Sequence, residues 1–265
     1  MEQNVILLIL FLWVSTLIFA IPIQNGLVAY WQAENNAQDV YGNNGTLQNG
    51  ATFATGKFGQ AFSLQSDAHI SIGNPASLKL TNQITISAWI NTNNLVDGQI
   101  AQIVSKWGQS TALDSYSLSI IKSGGVIRLG CGIGVANSGD SGLSGGTILP
   151  NTFVHVAMTY NSSTGSNILY LNGSSVASRT RAGGIFTSDH NILIGREASA
   201  LTRNFNGLID EVAIFDRALA LSEIQTISQE TVPEPATWIA GIAAILFFYC
   251  PKKLSSNHFN EKGKI

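Results

Sequence analysis

The chain has 265 residues, of which 45% are apolar and only 11% are Asp, Glu, Lys or Arg, and its formal net charge is −2. An average soluble domain carries about 25% charge, so a chain this close to neutral has no electrostatic case for nucleic acid. Its apolar content equally excludes a solvated acidic tail, and the 26 glycines point to short strands joined by polar turns.

In chain order, the first element is an apolar run from Val5 to Ile23 that ends near the small residue Ala20. It reads as a signal peptide over 1–23. No Lys or Arg precedes it, and about 19 apolar residues also suffice for an uncleaved anchor.

Strands are expected at 26–32, 61–64 and 69–72. Over 83–91 the alternation puts Ile84, Ile86, Ala88 and Ile90 on one face and Thr85, Ser87 and Trp89 on the other. Further strands follow at 100–106, 115–121 and 126–131. In the last of these Cys131 shares a side with Ile127 and Leu129 and is expected in the core. The strand at 153–160 puts Val154, Val156 and Met158 on one side. Strands at 167–171 and 174–180 flank Asn172-Gly173, whose tolerance of positive φ makes a two-residue hairpin. Strands at 192–195 and 205–215 come last. A short helix then starts at Ser222 as its cap, with Glu223 in the first turn and Leu221, Ile224 and Ile227 near one face. The pattern favours an all-β fold, a sandwich or jelly roll, over a βαβ fold. Cys250 lies in the terminal segment, so Cys131 has no intrachain disulfide partner within that domain.

The end of the chain carries Val232-Pro233-Glu234-Pro235, an apolar stretch over 236–250, then Pro251-Lys252-Lys253. At about 1.5 Å per residue such a helix falls short of a ~30 Å bilayer core, and the lysines favour the cytoplasmic side. This order over 231–265 resembles the PEP-CTERM sorting signal of Gram-negative bacteria, with a longer tail, Leu254–Ile265, than that pattern has. The resemblance implies export, processing by an exosortase, membrane attachment through 236–250 before processing, and association with exopolysaccharide. An ordinary C-terminal anchor is the alternative.

Three stretches carry a second resemblance: GLVAYWQAENNAQDVYGNNGTLQNGATFATGKFGQAFSLQ (26–65), SLKLTNQITISAWI (77–90) and FNGLIDEVAIFDRALALSEIQTI (205–227). Together they resemble the laminin G-like, concanavalin A-like jelly-roll domains of bacterial surface proteins. That likeness implies an all-β, two-sheet antiparallel jelly-roll sandwich over 24–230, with curved sheets and a closing short helix. It implies no single function, because such domains bind glycans, bind proteins or are appended to enzymes.

No catalytic residues are assigned. Glycoside hydrolysis needs two carboxylates about 5–10 Å apart, and no alternate carboxylate pattern provides them. Asp210 and Glu211 are adjacent, so a regular strand points them to opposite faces. No H-E-x-x-H motif or phosphate loop is present. For metal, Glu34, Asp39, Asn43 and Asn44 cluster in a turn-rich segment, and Asp210 is expected on the face of Leu208, Val212 and Ile214, where a carboxylate needs a partner. Asp39 and Asp210, with Glu34, are therefore candidate ligands for one Ca2+, an ion that the resemblance also implies. Asx-turns at Asp39 and Asn43, and an amide or arginine (Arg196 or Arg217) at Asp210, satisfy the same residues without metal. For sugar stacking the candidates are Trp107 and Trp89; the competing reading has Trp31 and Trp89 filling gaps under loops. The expected function is an exported, non-catalytic carbohydrate-binding or adhesion module with a glycan or exopolysaccharide partner. The alternatives are a structural matrix protein without a defined ligand and, ranked third, a glycoside-active enzyme.

Overall fold

The computed structural model describes residues 21–108, 114–135, 140–199 and 202–229. Residues 1–20 of the expected signal peptide and the whole sorting segment, 231–265, lie outside the described residues. No described helix is long and apolar enough to cross a membrane.

Among the described residues the strands are β1 (Leu27–Trp31), β2 (Thr46–Gln48), β3 (Thr52–Thr55), β4 (Gln60–Leu64), β5 (His69–Gly73), β6 (Gln83–Thr92), β7 (Ile100–Lys106), β8 (Tyr116–Ser123), β9 (Val126–Gly134), β10 (Asp140–Ile148), β11 (Val154–Asn161), β12 (Ser166–Leu171), β13 (Ser174–Thr180), β14 (Ile192–Ile194) and β15 (Gly207–Phe215), followed by helix α1 (Leu221–Ser228). They form two sheets. One runs β13-β12-β11-β6-β15-β4-β3, with β1 also on β15; the other runs β10-β9-β8-β7-β14-β5-β2. The pairings are antiparallel, so this is the expected jelly-roll sandwich. Three strands were not anticipated: β2 and β3 are very short, and β10, with the sequence DSGLSGGTI, has too little apolar alternation to register.

The main core lies between the sheets. It joins Ile84, Ile86, Ala88 and Ile90 of β6 to Leu118 and Ile120 of β8 and Leu129 and Cys131 of β9. Cys131 is buried in this core, as its alternation predicts. A smaller cluster on the outer side of the larger sheet packs Tyr30, Ala157, Ala213 and Phe215 against Ile224 and Ile227 of α1. The cap of α1 differs from expectation. Its N-cap is Ala220, whose N–H donates to the Glu223 carboxylate at 2.9 Å, and Ser222 lies inside the first turn. A glutamate three residues in, reaching back, replaces the hydroxyl cap. Leu221 is half exposed and stays off the buried face.

β15 contains a bulge. Its register against β6 steps from Asp210↔Trp89 to Ala213↔Ser87, and Glu211 has φ +52°. Three residues of β15 thus span two of β6, which shifts the parity of the strand. Ile209, Val212 and Ile214 enter the core, whereas Asp210 pairs with outward-facing Trp89. The expectation that Asp210 shares the face of Val212 and Ile214 is therefore corrected.

Candidate functional site

On the smaller sheet the register sets one line of residues across all seven strands: Gly142, Gly132, Ser117, Ser105, Leu193, Ser71 and Thr46. Their neighbours Cys131, Leu118, Val104, Ile194 and Ile70 are in the core, so this line belongs to the outer face. At about 4.8 Å per strand it runs roughly 29 Å. Because most of its side chains are small, the face is hollowed there. Two cavities open on the line. The first, of about 230 Å³, is lined by Trp107, Ser117, Ser119, Gly132, Gly142 and Arg203 among others. The second, of about 410 Å³, is lined by His69, Ser71, Asp189, His190, Leu193 and Arg196.

Trp107 lies just beyond β7 and is largely buried over Gly132, where a Cβ would stand 2.9 Å from the indole ring. Only glycine lets the ring lie that close to the sheet. The segment leaving β14 gives an arginine to each cavity, Arg196 to the second and Arg203 to the first. Between them, Glu197 is fully buried and accepts from Arg203 Nη1 at 2.8 Å and from Gln102 Nε2 at 3.2 Å. Gln102 Oε1, Ser105 Oγ and Glu197 Oε1 are buried without a hydrogen-bond partner. Unpaired polar atoms in such positions are costly and mark where water or a ligand completes the structure. Of these residues only Trp107 is a candidate from the sequence; Gln102, Ser105, Glu197 and Arg203 are not. The available signal was the run of outward Ser and Gly on consecutive strands.

The acidic candidates are on other parts of the molecule. The turn 56–60 joins β3 to β4. Asp210 Oδ2 accepts from the backbone N–H groups of Lys57 (2.8 Å) and Phe58 (3.0 Å), and Glu34 Oε1 accepts from that of Gln60 (3.1 Å). Side chains at Gly56 and Gly59 would collide with these two carboxyl groups. Asp210 is fully buried and its Oδ1 has no partner. Burial pushes its carboxyl up to about 7; the amide donors oppose this, and the Glu34 charge adds to it.

Asp39 is placed differently. Its Oδ1 accepts from Tyr30 N (2.6 Å), and its Oδ2 accepts from Asn43 N (2.8 Å) and Nδ2 (2.7 Å). Burial raises its pKa, while the bonds from Asn43 lower it. Asp39 therefore staples the 39–43 turn to β1. Of the three calcium candidates, Asp210 and Glu34 meet at one turn and Asp39 serves another. Among the described residues, no group of three or more His, Cys, Asp or Glu side chains converges. Asp210 and Glu211 also depart from the opposite-face expectation: past the bulge, Glu211 accepts the hydroxyl of Tyr30, a residue of the outer cluster.

Trp89 is only 8% exposed and lies beneath the 56–60 turn. It packs edge-on against Phe58 (6.0 Å) and His155 (5.5 Å), with Lys57 Nζ 4.7 Å from its ring centre. Burial pushes His155 down to about 3, and its Nδ1 has no partner. Trp89 and Trp107 occupy the outer faces of different sheets, so the structure does not bring the two stacking candidates together.

This sandwich and its hollowed outer face define a lectin-like β-sandwich domain. Residues 64–225, more than half of the chain, match the laminin G family model described as the concanavalin A-like lectin/glucanases superfamily, and the chain belongs to that family. A comparison with curated proteins found no match. Among solved structures, domain 4 of AbnA, a GH43 extracellular arabinanase from Geobacillus stearothermophilus in complex with arabinotriose, is similar at TM-score 0.60 and 21% identity, over 78% of this chain and 100% of that one. The binding domain of Paraclostridial Mosquitocidal Protein 1 is similar at TM-score 0.63 and 21% identity, over 77% of this chain and 52% of that one. The ligand-binding domain of botulinum neurotoxin serotype D, in complex with N-acetylneuraminic acid, gives 0.59 and 18%, over 77% and 50%. The chain thus spans about half the length of the toxin domains. At these identities the likeness is one of fold.

Proposed function

We propose that residues 24–230 form a non-catalytic carbohydrate-binding or adhesion module that holds a glycan on the outer face of the smaller sheet. The observation that carries this reading is the first cavity: an indole flank, a floor of serine and glycine, and Gln102 in the lining with its Oε1 buried and unpartnered behind it. A sugar ring offers an apolar C–H face and a rim of hydroxyls, and this cavity offers matching partners for both. The likeness to a domain solved with arabinotriose supports the same reading. Against hydrolysis, the one carboxylate among the described residues lining the two cavities is Asp189, whereas cleavage needs two.

The proposed setting is outside the cytosol. The 1–23 segment directs export, and 231–265 acts as a PEP-CTERM signal that holds the protein in the membrane until an exosortase-type enzyme releases it to the envelope or matrix. A polysaccharide partner suits that location. One Ca2+ is proposed at the 56–60 turn, with Asp210 and Glu34 as its carboxylates; the orphaned Asp210 Oδ1 supports it. The ion would clamp the turn and neutralise a buried charge there.

The binding reading is tested on a glycan array probed with the full chain and with Gly142→Trp. A Cβ at Gly142 has only one neighbour, at 4.0 Å, so a tryptophan there fills the cavity mouth without disturbing the sheet. The wild type is retained, and the variant loses retention on the order of tenfold at an unchanged melting temperature. A wild type that no glycan retains would remove the proposal in favour of a structural matrix role.

A further inference from the structure

The second cavity has a chemistry that the first lacks. It sits on β14 and β5, with Leu193 and Ser71 on its floor and His69, His190 and Arg196 around it. Its one carboxylate, Asp189, is exposed and already paired with Lys79 at 3.1 Å. In the first cavity Arg203 is neutralised by Glu197 at 2.8 Å. Arg196 has no counterpart: no carboxylate among the described residues pairs with it, and its Nε is buried without an acceptor. Nearby, fully buried Lys106 donates to Asn74 Oδ1 at 2.6 Å and to the His190 carbonyl at 2.7 Å, and among the described residues it too has no carboxylate within ion-pair distance. One loop therefore turns a neutralised arginine to one cavity and an unneutralised one to the other, backed by a buried ammonium.

A guanidinium without a protein anion, in a polar hollow on the same face as a sugar site, fits a carboxylate through two parallel N–H···O bonds. We infer that the second cavity is a subsite for an acidic sugar, so that the preferred ligand class is a polysaccharide bearing uronic-acid carboxylates. The inference rests on the outer face being the glycan site. The serine and histidine side chains around Arg196 meet the hydroxyls of the acidic residue, and the neighbouring part of the chain reaches the Trp107 cavity. Attraction between the acidic polymer and the Arg196–Lys106 pair weakens as salt screens it.

The test compares retention of the full chain on polygalacturonate and on the same polymer with its carboxyl groups reduced to alcohols. Wild type is retained more strongly on the acidic form, on the order of fivefold, and added salt narrows the gap. Arg196→Gln abolishes the preference, and Arg196→Lys, which keeps the charge but not the fork, restores part of it. Melting curves exclude loss of fold in either variant. Equal retention of both polymers by wild type, or an acidic preference that survives in Arg196→Gln, overturns the acidic subsite and leaves the glycan site standing. Retention of neither polymer, with no other glycan retained on the array, overturns both.

Discussion

Asp210 and His155 both sit beside Trp89, in strands on either side of β6, and burial moves their protonation in opposite directions. Asp210 rises from 3.8 to about 7, so the folded state favours its protonated form; that contribution is complete below about pH 4 and is lost as pH rises through about 7. His155 falls from 6.5 to about 3, so its contribution is complete above pH 6.5 and is lost as pH drops through about 3. Between about pH 4 and 6.5 the two slopes oppose each other. Asp210→Asn removes one of them. The variant should melt higher than wild type at pH 8, by on the order of 2–4 kcal/mol in stability, and its melting temperature should fall toward acid more steeply. Parallel pH profiles for the two proteins would refute this. The same variant tests the ion: millimolar calcium should raise the melting temperature of wild type at pH 7.5 and leave Asp210→Asn unmoved. No calcium effect on wild type would remove the metal proposal. At this scale Trp107 was legible because an aromatic stood at a strand end. The common outward placement of Asp210 and Glu211 was not, since a glutamate at φ +52° carries no sequence mark.

Glycines in β9 decide where the first cavity can exist. At Gly132 a Cβ would stand 2.9 Å from the Trp107 ring and 3.0 Å from Ser117 Oγ. Gly132→Ala must therefore lift the indole off the sheet. The expected outcome is a shifted tryptophan emission and reduced glycan retention, with a stability cost of about 1–3 kcal/mol. Unchanged emission and retention would show that Trp107 does not depend on that glycine. The Asn172-Gly173 turn was readable because both residues adopt positive φ, 47° and 76°, as a tight hairpin of this kind requires. The start of α1 was misread for a local reason. Ser222 is a good cap by type, yet Glu223, paired with Arg217 at 2.7 Å, already satisfies the Ala220 N–H.

For the whole molecule, the proposed export route makes a prediction on mass. The extracellular product should lack the segment beyond about residue 231, read by intact-mass spectrometry, if a sorting enzyme acts at the Pro-Glu-Pro region. A full-length C-terminus recovered only with membranes would favour a permanent anchor. The sandwich itself could be inferred from the chain because burial on one face forces alternation, and alternation is a property of consecutive residues. The two cavities could not. Their line joins residues 46, 71, 105, 117, 132, 142 and 193, which are neighbours only through hydrogen-bonded register. The sequence by itself determined the fold class, the buried Cys131, the tight hairpin and the polar, nearly neutral surface, all of them consequences of local pattern and composition. Only the tertiary structure decided that Trp107 flanks a cavity, that Asp210 meets Glu34 rather than Asp39, and that Arg196 faces the second cavity with no carboxylate partner among the described residues. Each of these follows from strand pairing across long stretches of chain, where one bulge or one register step reverses which way a side chain points.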